Sequence, residues 1–282
     1  DIRYLLSQSI LVLAARRSLD RDYNNMNLRT VQWNIGGGHI RAAEADPTLP
    51  ESYGREDLGY IIERLKGHAP DIITLQESHA DEKGSQAERI AHELGLSYSV
   101  NDAYDRSHID PSQKLCQSVI SRYPIKAHSF RFFYNPQYRI SLPDGSEWTS
   151  HDKGVSTVSL DIDGLELTVQ TLHLIPFRKF AADMDDEEGM KVRQSIEALL
   201  EKEKSPYLLQ GDFNYADIPQ LLPGIFGTGL AEATDNSATT PKGRVYDHIC
   251  MRGLHLSSPT VVDASVLTDH YPLISQFDFG KQ

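Results

Sequence analysis

Residues 28–34 read Leu28-Arg29-Thr30-Val31-Gln32-Trp33-Asn34, an alternation of apolar and polar positions with the two-residue period of a strand. Three glycines, Gly36 to Gly38, stop it; with no Lys-Ser/Thr at P-loop spacing after them, they read as a flexible loop. Leu58, Ile61, Ile62 and Leu65 then recur at helical spacing, predicting a helix from Ser52 with Gly67 near its end. Each of these side chains, once buried, contributes roughly 1.5–3 kcal/mol to the core. Pro70-Asp71 opens an apolar run over 72–77, a predicted interior strand that delivers Gln76 and Glu77 at its end. A second helix is predicted over 85–94, with Ile90 and Leu94 inward, and a short strand over 96–100. Between 101 and 117 the chain is polar, with Asp102, Tyr104, Arg106, His108 and Asp110, and has no period, which predicts a surface loop, either a plain one or a rim over the site.

Strand and turn signals return at 118–125, where Pro124 forbids a continued central strand. The aromatic stretch 130–134 is expected to pack in the core. Two alternating segments, 154–161 and 165–172, flank Asp163-Gly164, a strong hairpin signal. A helix is predicted over 185–202, acidic at its start and lysine-rich at its end as the macrodipole prefers. Further strands are predicted at 208–214, 245–251, 254–256, 260–262 and 273–277. Hairpins plus separated helices, without regular βαβ repetition, predict an α+β fold of mixed sheets covered by helices.

No linker or charge block divides the 282 residues, so one domain is expected over 27–282, preceded by an N-terminal extension, 1–26. Within that extension the apolar run 10–15 is too short to span a bilayer and is expected to form a packed or fraying helix. No transmembrane segment is expected elsewhere. Lys+Arg 28 against Asp+Glu 40 give a net charge of −12. This argues against unspecific binding along a polyanion, yet it suits a cation-dependent cleft that grips one or two phosphates. Two cysteines, Cys116 and Cys250, imply no disulfide framework and leave the compartment open, with a cytoplasmic setting favoured over a secreted one. No obligate protein partner is implied.

Candidate chemistry gathers at Gly211-Asp212-Phe213-Asn214. Strand side chains alternate, so Asp212 and Asn214 point to the same side. An aspartate beside a carboxamide can hold and deprotonate a water while the amide donates a hydrogen bond to developing negative charge, which suits phosphate ester cleavage. Alone, Gly-Asp-x-Asn also marks a tight turn. Asn34, Glu77, His173, Asp247, Asp269 and His270 shift the balance, because each ends another predicted strand.

Trp33-Asn34-Ile35, Leu75-Gln76-Glu77, Thr171-Leu172-His173-Leu174, Gly211-Asp212-Phe213-Asn214, Tyr246-Asp247-His248-Ile249 and Thr268-Asp269-His270-Tyr271-Pro272 follow in that order. Together they resemble the motifs of the endonuclease/exonuclease/phosphatase superfamily, the deoxyribonuclease I-like metal-dependent phosphoesterases. The resemblance implies a four-layer α-β-β-α sandwich whose two mixed, mostly antiparallel sheets are flanked by helices. It also implies roles. Glu77 and Asn34 would hold Mg2+ or Mn2+, with Asp269 lining the metal side. Asp212 would activate the attacking water, Asn214 and His173 would bond the phosphoryl oxygens, and Asp247 would orient His270. Unaided chemistry agrees: Glu77, Asp212, Asp247 and Asp269 in one pocket repel unless a cation neutralises them, and oxygen ligands favour magnesium or manganese over zinc. One departure stands out. Many nuclease members carry an acid two residues after the strand asparagine; here that position is Gly36, which removes a ligand for a second metal.

The activity so implied is a divalent-metal-dependent phosphodiesterase using in-line attack of water, on a substrate of nucleic acid (DNA or RNA) or nucleotide type. Branches of the superfamily also include inositol-lipid phosphatases, sphingomyelinases, deadenylases and enzymes that remove tyrosyl adducts from DNA ends. The alternatives are therefore a phosphatase, a phospholipid phosphodiesterase, or a binding protein that kept the fold. Arg178, Lys179, Arg244 and Lys153 are candidates to bind substrate phosphate. A basic rim of Arg106, Lys153, Arg178 and Arg244 would favour nucleic acid. An exposed apolar loop, at 130–134 or Ile175-Pro176-Phe177, would favour a lipid.

Overall fold

The computed structural model describes residues 26–142, 145–204 and 206–279; the helix expected over 10–15 lies outside them. In chain order the strands are β1 (Met26–Asn34), β2 (His39–Ile40), β3 (Arg55–Glu56), β4 (Ile72–Asp81), β5 (Gly84–Ser85) and β6 (Tyr98–Arg106). Next come β7 (Lys114–Ser121), β8 (Ile125–Phe132), β9 (Arg139–Ser141), β10 (Glu147–Thr149), β11 (Gly154–Ile162) and β12 (Leu165–His173). β13 (Tyr207–Asp212), β14 (Ala231–Glu232), β15 (Asp247–Arg252), β16 (His255–Val262) and β17 (Leu273–Phe279) complete them. The helices are α1 (Leu58–His68), α2 (Gln86–Leu94), α3 (Glu187–Glu197) and the short α4 (Ile218–Leu221) and α5 (Pro223–Phe226).

Two large sheets face each other. One has the order β16-β17-β1-β4-β7-β6 with β5 on β4, the other β14-β15-β13-β12-β11-β8. Each is mostly antiparallel with one parallel pair, β1 with β4 and β12 with β13. Alternation along β1 sorts its side chains. Val31 and Trp33 pack with Ile61, Leu65 and Ile90 of α1 and α2. Leu28 faces the other way, into an inter-sheet core with Val158, Val169, Leu208, Ile249 and Phe277. A third cluster joins the far side of the second sheet to α3, α4 and α5 through Leu209, Val192, Ile196 and Ile218. The result is the α-β-β-α sandwich.

Toward one end the inter-sheet layer turns polar. Thr30 bonds Gln210 (3.0 Å), Gln32 donates to Asp247 (2.7 Å), Asn34 donates to Asp212 (3.0 Å) and Gln76 donates to Thr171 (2.9 Å). Buried polar groups are costly unless paired, so this ladder pins the relative position of the sheets. Gly211 permits the approach of β12, because a Cβ there would lie 2.2 Å from the carbonyl oxygen of Leu172.

Several local expectations are revised. The helix expected from Ser52 begins at Leu58, where the Asp57 carboxylate caps it by accepting from the Tyr60 N–H at 2.9 Å. It ends on Ala69 in the left-handed region (φ 47°) rather than on Gly67. Residues 101–117 are not an irregular loop. They hold most of β6 and the start of β7, whose inward polar side chains, among them Asp102 bound to His128 and Ser156, erase the alternation. The helix expected over 185–202 stops at Glu197. The glycines at 36–38 form a buried single turn held by Gln86, whose side chain donates to Gly37 O at 2.7 Å. Of the aromatic run, Phe133 is buried but Phe132 is 56% exposed and Tyr134 41%. Both cysteines are free and buried.

Candidate active site

Register brings the site together. His173 pairs with Asp212 across β12 and β13, Asp212 with Asp247 across β13 and β15, and Asn34 with Gln76 across β1 and β4. Glu77 arrives through a bulge: the β4–β7 register shifts between Leu75 and Ser78, and Glu77 itself has φ 53°. The extra residue leaves the ladder and turns its carboxylate into the cleft. A second bulge, between Ala103 and Asp105, aims Tyr104 at His173 Nδ1, 3.4 Å away.

Asp212 is the hub. Its Oδ1 accepts the Asn214 N–H at 2.9 Å, and Asn214 takes a left-handed φ of 49° to make that turn. Its Oδ2 accepts from Asn34 Nδ2 at 3.0 Å and lies 3.4 Å from His173 Nε2 and 3.8 Å from His270 Nε2. Asp247 is held on both oxygens, by Gln32 Nε2 and by His270 Nδ1, each at 2.7 Å. The backbone carbonyl of His270 accepts from Trp33 Nε1 at 3.1 Å and from the Thr268 hydroxyl at 2.7 Å, which fixes the loop.

These surroundings separate the charge states. Burial, helped by Lys153 and His270, pushes His173 well below its ordinary value, so it is neutral at pH 7. Burial acts the same way on His270, but Asp247 and Asp212 outweigh it and raise its proton affinity well above the ordinary value, favouring the imidazolium. Burial and the Asp247 charge push Asp212 up to about 6 against the pull of His270. Burial would also raise Glu77, but His108, Lys153 and His270 keep it ionised below its ordinary value. Burial lowers the Lys153 ammonium to about 8, opposed by Glu77 and Asp212.

Asp212, Asp247 and His270 offer ligand atoms within 4.8 Å of one another, a spacing that admits a metal ion. His270 would first have to lose its proton. Glu77 and Asp269 fit a cation better: among the described residues no side-chain hydrogen bond reaches either carboxylate, and His173 Nε2 lies 3.9 Å from Glu77. Asn34, expected beside the cation, has Oδ1 taken by the Gly36 N–H at 3.1 Å and Nδ2 by Asp212. Gly36 has φ 49°, and a Cβ there would stand 3.3 Å from Asp269 Oδ1, so Asp269 occupies the space of the missing acid.

The clustered polar side chains lie in a recess of about 190 Å3 that opens on a groove of about 770 Å3, with Glu77, Asn214 and His270 among the residues lining both. The expected basic rim is only partly present. Arg178 and Arg244 line the groove with Lys179 and Lys242, but Arg106 bonds Pro111 O at 2.6 Å and faces a separate depression. Lys153 is buried in the recess wall, with its ammonium on Leu174 O at 3.1 Å. Asn214 donates to that same carbonyl at 3.0 Å. Ile175 and Phe177 are buried, so that loop offers no apolar tip to a membrane, and no described helix is long and apolar enough to cross one. Sequence reasoning placed Tyr104 and His108 only in a segment that could rim the site, and it missed Gln32, Trp148, His151 and Lys242. Only Gln32 carried a signal, as a polar residue two positions before Asn34 on an alternating strand.

A two-sheet sandwich with a buried Asp-His pair and clustered carboxylates at its polar end has the chemistry to act on a phosphoester. The profile of the Endonuclease/Exonuclease/phosphatase family matches residues 31–270, and the chain belongs to that family. Members act on phosphoester bonds and generally use divalent metals. No curated protein matches the sequence. Among solved structures, an endonuclease/exonuclease/phosphatase from Beutenbergia cavernae superposes with TM-score 0.68 at 18% identity, covering 90% of this chain and 72% of the other. The human Nocturnin catalytic domain with bound sulfate gives 0.59 at 18% identity (90% and 96% covered). A mannosyl-6-phosphatase of Bacteroides thetaiotaomicron gives 0.56 at 16% (89% and 99% covered).

Proposed function

We propose that residues 27–282 form the catalytic domain of a divalent-metal-dependent phosphoester hydrolase that uses in-line attack of water. The observation that carries this is Asp212: a carboxylate whose proton affinity sits near neutrality, aimed between a neutral and a charged histidine. Asp212 takes the proton of the attacking water, and Asn34 and the Asn214 N–H hold its carboxylate in place. The His270 imidazolium, fixed by Asp247, faces the charge that grows on the phosphoryl group. Asn214, His173 and Lys153 line the space for the phosphoryl oxygens. Glu77 and Asp269 would hold Mg2+ or Mn2+, which supplies charge neutralisation at the phosphoryl group and the leaving oxygen. Gly36 favours one such ion over two. The sulfate on Nocturnin and the phosphatase from Bacteroides support oxyanion chemistry on this fold.

An anionic substrate of nucleotide or nucleic-acid type is supported by the groove. Arg178, Lys242 and Arg244 are exposed there, and among the described residues none of them pairs with an acid. Hydrolysis of p-nitrophenyl phosphate and bis-p-nitrophenyl phosphate in magnesium, manganese or EDTA tests the reaction. Turnover that survives EDTA, or that Asp212→Ala leaves unchanged, would overturn it. Glu77→Gln is expected to weaken magnesium at least tenfold in calorimetry. Arg244→Glu is expected to raise KM for a nucleotide substrate several-fold with kcat nearly unchanged, because its contact would be the same in ground and transition states.

A further inference from the structure

We infer that the recess takes a terminal phosphoryl group, so that the enzyme cleaves phosphomonoesters and does not cut within a chain. The inference rests on the phosphoesterase reading above and narrows it. Residues that line the groove but not the recess, such as Gly36, Tyr53, Arg178, Lys242 and Arg244, all lie on the open side. Elsewhere the recess wall is made of the rings of His108, Trp148, His151 and Phe180, of which only His108 also lines the groove. His108, Trp148 and His151 sit 5.3–5.9 Å apart, and Phe180 backs Trp148 at 4.9 Å. Behind this partition lies a separate surface depression of about 370 Å3 that shares only His108 and His151 with the recess.

In-line chemistry puts the attacking water on the Asp212 floor and the leaving alcohol toward the groove. A diester carries a second substituent, and the space left for it is what the three rings fill. The recess is the inner end of the cleft, about 190 Å3, and the substrate beyond the phosphoryl group would lie in the adjoining groove. The polar lining of the recess suits the extra oxygen and charge of a monoester. Among the described residues the Lys153 ammonium has one hydrogen-bond partner and the buried Trp148 N–H has none, and Lys179 Nζ lies 3.9 Å over the Trp148 ring. Water oxygen forms the new P–O bond, the ester P–O bond breaks, Asp212 takes the water proton, and the alkoxide is protonated from solvent in the groove. The products are inorganic phosphate and the alcohol.

The test compares kcat/KM for p-nitrophenyl phosphate and bis-p-nitrophenyl phosphate at saturating magnesium or manganese, together with nicking of circular single-stranded DNA. The expected result is at least a tenfold preference for the monoester and no nicking. Diester preference or nicking would overturn the inference while leaving the phosphoesterase reading intact; no turnover of either ester would overturn both. Trp148→Ala, which opens the recess toward the outer depression, is expected to move the diester-to-monoester ratio at least tenfold upward, and Trp148→Phe is expected to keep the native ratio. An unchanged ratio in an active Trp148→Ala enzyme would sink the partition. The native comparison stands even if that variant does not fold.

Discussion

Asp212→Asn is expected to lower kcat by about 10²–10⁴-fold, the usual loss on removing a general base, and to remove a pH dependence from the stability of the metal-free protein. The stability sign follows from linkage. Burial raises the folded carboxyl from 3.8 to about 6, so the folded state binds the proton more tightly than the unfolded chain. Its contribution is therefore favourable at low pH, declines as pH rises between the two values, and is fully lost above them. Two units correspond to about 3 kcal/mol at neutral pH. The amide carries no charge to bury, so the melting temperature in EDTA, taken relative to the native protein, should rise by several degrees between about pH 4 and pH 7, on top of a constant loss where the amide NH2 faces the Asn34 Nδ2 donor. A difference between variant and native protein that does not grow with pH would contradict this account. In the native enzyme the same ionisation predicts that kcat/KM falls as pH drops through about 6, with a second limb near 8 where Lys153 loses its proton. Lys153→Arg should carry that alkaline limb beyond the measurable range.

Asp247→Ala is expected to cost about 3–5 kcal/mol, the usual effect of removing one partner from a buried charged pair. It strips the fully buried acceptor from both Gln32 and the His270 imidazolium. Without Asp247 the His270 ring loses its principal source of positive bias, and burial then drives it toward the neutral form. Activity should fall with it. An NMR titration of His270 separates the two effects: a downward shift is expected in the variant, and an unmoved His270 would show that Asp247 is only a structural hydrogen-bond acceptor. Adding His270→Gln should cost less than the sum of the single changes, because both act on one network.

The elements that were legible are those whose burial follows a local period. Leu58, Ile61, Ile62 and Leu65 form one stripe because α1 packs a single face on the sheet, and Asp163-Gly164 marks its hairpin through the turn's own backbone demands. Strand β6 was illegible for the opposite reason. Its inward positions are filled by Asp102 and Tyr104, which are satisfied by His128, Ser156 and His173 from distant strands, so the polarity of the stretch reports neither surface nor loop.

By itself the sequence determined the α+β class, the order of the motifs and the residues that end the strands, since strand alternation and turn chemistry are properties of neighbouring positions. Tertiary structure decided the rest. The bulge that turns Glu77 inward, the ladder from Thr30 to Asp247, the ring partition around Trp148 and the opposite charge states of His173 and His270 all arise where two sheets meet. There the dielectric, the partners and the free space belong to side chains far apart in the chain, and no local pattern encodes them.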